Sequence, residues 1–313
     1  MSAIAFLFPG QGSQQVGMGQ ALAQEDASAR ALFAEADAVL GYSLSELCFQ
    51  GPEDALQQTQ HTQPALYVAG CACADWLCAR GVAPSVAAGH SVGEYAALYV
   101  AGAVDFATGL RLLDERARAM RRAGAEKGGS MMAVLGVHRD VVEATCRDAA
   151  QGQVLSIAGY NTPSQTVISG EQVALDRAAT ALKLQGAKRI VSLRVSGAFH
   201  SRLMAGAAEH LRGVLQQQPL RDARIPVITN ASAQPVTAAA TLAEHLVAQL
   251  VQPVRWVETV DHLAKMGVTH AVELGPGKVI QGLLKACNCA LPCWSAGDPE
   301  SLGRVVEELT GSP

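Results

Sequence analysis

Residues 86–98 read VAAGHSVGEYAAL, and this stretch decides the fold. Val86–Ala88 is a short apolar run that reads as a strand. Gly89-His90-Ser91-Val92-Gly93 is a G-x-S-x-G turn, and an Ala-rich helical run follows it. A strand passing through two glycines into a helix is the context a nucleophile elbow requires, and it predicts an α/β protein. The glycines permit a tight turn that lifts Ser91 out of the sheet. The serine then stands at a helix N-terminus, where backbone N–H groups and the macrodipole favour negative charge.

Outward from this turn, strands and helices alternate. AIAFLF (3–8) reads as a buried strand, and 28–40 and 63–80 read as helices, the second with Thr62 as its N-cap and Pro64 in its first turn. Residues 105–122 read as a helix capped by Asp105. Such alternation favours a mostly parallel sheet. AGAEKGGS (123–130) is expected to be a loop and a boundary. Beyond it, strand 131–137, helix 139–149, strands 153–161 and 166–170, helix 171–186 and strand 188–195 make a β-α-β-β-α-β series of the ferredoxin-like kind. Long helices (201–216, 238–251, 255–267), a strand (269–275) and a further helix after the GPGK turn follow. The expected division is a large subdomain of residues 1–124 and 197–313 with residues 125–196 as a smaller insert.

Composition agrees with a folded core. Of 313 residues 49% are hydrophobic, 17% charged and only 4% aromatic, so the core must be built from small and aliphatic side chains. A net charge of −4 gives no support to a nucleic-acid-coating protein. The apolar run 92–104 carries Glu94 and is too short to span a bilayer. The first residues lack a basic n-region and read as a strand, not a signal peptide, so a cytoplasmic protein is expected. The eight cysteines include no C-x-x-C pair and read as reduced, buried thiols.

A serine nucleophile needs a base. His90 neighbours Ser91 in sequence but points away from it at such a turn, which makes it a shaping or substrate-contacting residue. His200, in the small-residue stretch SGAFHSRLM between a strand and a helix, is the leading candidate. FPGQGSQQVGMG (8–19) leaves the first strand as a Gly-rich turn. It is either a plain loop or a cradle of N–H groups for an oxyanion, and it fits no phosphate-loop or dinucleotide pattern. In the basic helix RLLDERARAMRR (111–122), Arg116 shares a stripe with residues 109, 112, 113 and 120. It is the arginine placed to turn inward and fork onto a carboxylate.

Several motifs in one order carry a resemblance: FPGQGSQ, GHSVGEYAAL, the arginine of DERARAM, NTPSQTVISG (161–170), GAFHS (197–201), QLVQPVRW (249–256) and ELGPGKV (273–279). Over nearly its whole length the chain resembles malonyl-CoA:acyl carrier protein transacylases and the acyltransferase domains of polyketide synthases. The resemblance implies an α/β-hydrolase-like core with a ferredoxin-like insert. It implies Ser91 as acyl-carrying nucleophile and His200 as base, with Gln11 and Val92 supplying oxyanion N–H groups. It makes Arg116 the partner of the malonyl carboxylate and the Gln249 carbonyl the orienter of His200. Asn161 and His90 fall beside the substrate. Phe199 before the histidine resembles the malonyl-selective version of this stretch, where methylmalonyl-selective relatives carry Ser. The implied partners are malonyl-CoA and an acyl carrier protein. No metal or redox cofactor is implied, and a monomer is expected. A thioester hydrolase on the same fold is the alternative, but it has little use for an inward arginine.

Overall fold

The computed structural model describes residues 3–311. Its ten strands are β1 (Ile4–Phe8), β2 (Val86–Gly89), β3 (Ser130–Leu135), β4 (Leu155–Thr162), β5 (Gln165–Gly170), β6 (Arg189–Ser192), β7 (Val227–Ile228), β8 (Pro235–Val236), β9 (His270–Leu274) and β10 (Cys293–Ala296). Six form one sheet in the order β10-β9-β1-β2-β7-β8, parallel except for β8 at its edge. Every residue of β1 and β2 is buried, as expected where helices cover both faces of a parallel sheet. Alternate side chains of β1 serve the two faces. Phe6 and Phe8 enter one apolar cluster, and Ala5 and Leu7 enter another with Trp256 and Leu263.

The other four strands form an antiparallel sheet in the order β4-β5-β3-β6. With helices Arg139–Ala150 and Gln172–Leu184 this is the β-α-β-β-α-β arrangement read from the sequence. Met132, Val134 and Ile168 pack against those helices, whereas Met131, Ala133 and Val167 face the main body. One seam joins the sheet to that body. The Tyr160 N–H donates to the Val254 carbonyl and the Val254 N–H to the Ala158 carbonyl, both at 2.9 Å.

The structure corrects two sequence expectations. The second long helix begins at Thr59, not at Gln63, and Thr62 does not cap it. The Thr62 hydroxyl is buried and donates backwards to the Leu56 carbonyl at 2.6 Å, so it is unavailable to the helix start. AGAEKGGS is not a loop throughout, because the helix capped by Asp105 continues to Lys127 and ends on Gly128. Gly124 does not break it. A Cβ there would lie 2.2 Å from the Ser196 carbonyl oxygen, so glycine lets the segment leading to His200 cross directly over this helix. Among the described residues, no helix is long and apolar enough to cross a membrane.

Candidate active site

The elbow is built by close packing. Phe8 lies beside Gly89 in register, and the His90 N–H donates to the Phe8 carbonyl at 2.9 Å. A Cβ on Gly89 would sit 2.0 Å from the Gly93 carbonyl carbon, and one on Gly93 would sit 2.2 Å from the Phe8 carbonyl oxygen. Only glycine permits the helix Gly93–Val100 to start so close above the strand ends. Ser91 is left with φ 52° and His200 with φ 57°. Such left-handed backbone costs of order 1–3 kcal/mol at each non-glycine residue and persists only where surrounding bonds fix it. Asn230 supplies those bonds at the elbow. Its Oδ1 accepts from the Ser91 N–H at 2.6 Å and its Nδ2 donates to the Gly89 carbonyl at 2.7 Å.

Ser91 Oγ lies 2.8 Å from His200 Nε2. On the far side of the ring, Nδ1 lies 2.7 Å from the Gln249 carbonyl. A carbonyl only accepts, so Nδ1 carries the proton and Nε2 presents its lone pair to the Ser91 hydroxyl. That is the tautomer a general base needs. Burial, reinforced by the nearby Arg116 guanidinium, pushes the ring down to about 3. We therefore expect the His200 ring to stay neutral from pH 8 to pH 5 when followed by NMR of 15N-histidine-labelled protein. A transition near the ordinary value of about 6.5 would show that bulk water reaches the ring.

Arg116 is fully buried, as its stripe predicts. Nη1 donates to Gln63 Oε1 at 2.5 Å, and Nη2 donates to Gln249 Oε1 at 2.8 Å and to Ser91 Oγ at 3.1 Å. Of its five N–H groups, the buried Nε–H and one on Nη1 remain without a protein acceptor. A guanidinium with spare donors beside Ser91 Oγ is suited to an anionic oxygen pair.

These groups line a cleft of about 320 Å³ between the two sheets. Gln11, His90, Ser91, Val92, Arg116, Asn161, Phe199 and His200 all face it, whereas Gln249 stands behind and touches His200 and Arg116. Among the described residues, neither the Gln11 nor the Val92 N–H donates to a protein acceptor. His90 Nε2 meets Asn161 Oδ1 at 2.9 Å, and its ring tilts against Trp256 at 5.5 Å between centroids. Met131, Ala133, Ala158 and Val167 make the opposite wall apolar. Among the described residues, no group of three or more His, Cys, Asp or Glu is arranged to hold a metal.

A family model described as an acyl transferase domain matches residues 5–288. The malonyl CoA-acyl carrier protein transacylase of Bacillus subtilis (strain 168) is 41% identical over 310 residues, covering 99% of this chain and 98% of the relative. The chain belongs to the malonyl-CoA:acyl carrier protein transacylase family. The transacylase of Escherichia coli (strain K12) is 40% identical, covering 98% of this chain and all of the relative. Among solved structures, a malonyl-transacylase in complex with a type II polyketide synthase acyl-carrier protein superposes with a TM-score of 0.95 at 40% identity. That match covers 98% of this chain and 100% of the other. The transacylase of Coxiella burnetii matches with a TM-score of 0.95 at 37% identity, covering 99% and 98%. The expected fold class and family are thus borne out.

Three polar residues of the site carried no signal singled out from the sequence: Gln63, Asn230 and Glu94. Gln63 sits inside a helix, and Asn230 follows a strand of only two residues. Glu94 reads in sequence only as a charge within the apolar run 92–104. In the structure it is fully buried under the elbow, and burial pushes its carboxyl up to about 7.

Proposed function

We propose that the chain transfers a malonyl group from malonyl-CoA to the pantetheine thiol of an acyl carrier protein through an ester on Ser91. One observation carries the reading: Ser91 Oγ meets both a neutral histidine and a buried guanidinium, in a chain of this family. His200 Nε2 takes the Ser91 proton as Oγ attacks the thioester carbonyl. The Gln11 and Val92 N–H groups hold the oxyanion, a contribution of about 3 kcal/mol for each good donor. The C–S bond breaks and CoA leaves as its thiol with the proton from His200. The carrier thiol then returns its proton to His200, attacks the Ser91 ester and regenerates the serine. Arg116 holds the malonyl carboxylate throughout, and His90 and Asn161 border the acyl group. Every group these steps call on belongs to this chain or to its two substrates.

The reading agrees with relatives named for the same transfer and with a neighbour solved on its carrier protein. It implies supply of malonyl units to fatty-acid or polyketide assembly. The eight free thiols suit a reducing compartment, and we assign the chain to the cytoplasm. Residues 1–124 and 197–313 would act as one catalytic subdomain and residues 125–196 as the cleft's second wall.

The test is intact-protein mass spectrometry after brief incubation with malonyl-CoA, acetyl-CoA and methylmalonyl-CoA in competition, followed by a carrier protein. A malonyl adduct that moves to the carrier is expected. An adduct lost to water without reaching the carrier would favour a hydrolase. In the same assay Phe199→Ser, which opens the wall beside His200, should raise methylmalonyl loading relative to malonyl by about 10-fold or more. An unchanged ratio would place that selectivity elsewhere.

A further inference from the structure

Beneath the elbow lies a polar network of Glu94, Asn230 and Gln249, none of which lines the cleft. Glu94, in the first turn of the helix Gly93–Val100, is 0% exposed. Its Oε2 accepts from the Asn230 backbone N–H at 2.9 Å and from Gln249 Nε2 at 2.8 Å. Its other oxygen has no partner. Gln249 Nε2 also faces the Ser91 carbonyl at 3.1 Å and Asn230 Oδ1 at 3.3 Å. Three acceptors thus surround one amide nitrogen, and Glu94 offers the shortest contact. The nitrogen of Gln249 must point down toward them, so its oxygen must point up toward Arg116, which it meets at 2.8 Å. A reversed amide would set its NH₂ against the guanidinium and its oxygen against acceptors. Gln249 therefore acts twice. Its main-chain carbonyl holds the base, and its side chain holds the guanidinium.

We propose that Glu94 is a positioning residue that orients the Gln249 side-chain amide, so that Arg116 is held where it selects acyl groups ending in a carboxylate. The inference rests on the proposed malonyl transfer and adds a determinant of its specificity. The acceptor oxygen is the operative feature. One oxygen makes both bonds while the other makes none, so a neutral amide at this position can reproduce the arrangement. A side chain of similar length without an oxygen cannot. It leaves the Asn230 N–H unsatisfied in a buried site, and the Gln249 amide loses its shortest contact, keeping only the longer ones to the Ser91 carbonyl at 3.1 Å and Asn230 Oδ1 at 3.3 Å.

The test compares Glu94→Met and Glu94→Gln with the wild type, using purified full-length chains whose fold is checked by circular dichroism. The readout is the ratio of kcat/KM for malonyl-CoA over acetyl-CoA, since an acetyl group gives Arg116 nothing to hold. Glu94→Met is expected to lower this ratio about tenfold, and Glu94→Gln to keep it within about threefold of the wild type. A folded Glu94→Met chain with an unchanged ratio, its two rates falling together, would reduce Glu94 to a structural role and overturn the proposal. A Glu94→Gln chain as impaired as Glu94→Met would overturn it too, by showing that charge and not orientation matters. An activity-independent measurement separates this from the transfer reaction. In 15N-glutamine-labelled wild type the Gln249 side-chain amide should resist hydrogen exchange, and Glu94→Met should remove that protection. A wild type that loads no malonyl sinks the proposed reaction, while the exchange result still decides whether Glu94 anchors Gln249. Absence of the protected amide overturns the anchoring.

Discussion

Ser91→Ala is expected to leave no covalent adduct after incubation with malonyl-CoA and to lower transfer to a carrier protein by about 10⁴- to 10⁶-fold, the range seen when a covalent nucleophile is removed. The oxyanion N–H groups and Arg116 survive this change, so substrate should still bind. The variant ought to retain CoA-thioester affinity while losing turnover, and calorimetry of malonyl-CoA binding can check the first half. The removed oxygen is small, and the backbone bonds from Asn230 to the elbow do not involve it. The fold should therefore persist. Labelling that continued in Ser91→Ala would mean that another side chain carries the acyl group.

Arg116→Ala should have the second largest effect. A bidentate, charge-assisted pair in a buried cleft contributes about 2–4 kcal/mol, so malonyl transfer should fall by roughly 30- to 1,000-fold. The same change strands the Gln63 and Gln249 side-chain oxygens and empties a buried volume, so some loss of stability is expected as well. The diagnostic quantity is the malonyl-to-acetyl ratio in competition, because lost stability alone lowers both rates together. A ratio that stays at the wild-type value would remove Arg116 from carboxylate recognition.

How much of this was legible in the sequence depends on how local each signal was. The elbow was legible because two glycines flank a serine between an apolar run and a helix, and the structure shows what each glycine avoids. Asp105 read as a cap because its side chain acts three residues away, on the Thr108 N–H. Arg116 followed from helical period alone. Thr62 misled because its hydroxyl turned back to the preceding turn, a choice made by packing. Gly124 misled because a glycine that admits a crossing segment looks the same in sequence as one that ends a helix. Asn230, Gln63 and Glu94 act across 19 to 155 residues of chain, and no spacing rule reaches that far. The Gln249 carbonyl was available only through resemblance, since a main-chain atom has no residue type.

The partner of His200 Nδ1 is a neutral carbonyl where many serine enzymes place a carboxylate, and this bears on which leaving groups the chain can expel. An imidazolium forming between a carbonyl and the Arg116 guanidinium gains no countercharge from the protein, so it gives its proton up readily. Thiolates depart readily, their conjugate acids having a pKa of about 8.5, and need little of the proton-holding that an amine or alkoxide requires. Exchange between two thioesters is also close to thermoneutral. The acyl group enters from one thiol and exits to another of nearly equal basicity. A base this weak suits a reversible relay between two sulfur carriers and would serve poorly for cutting amides.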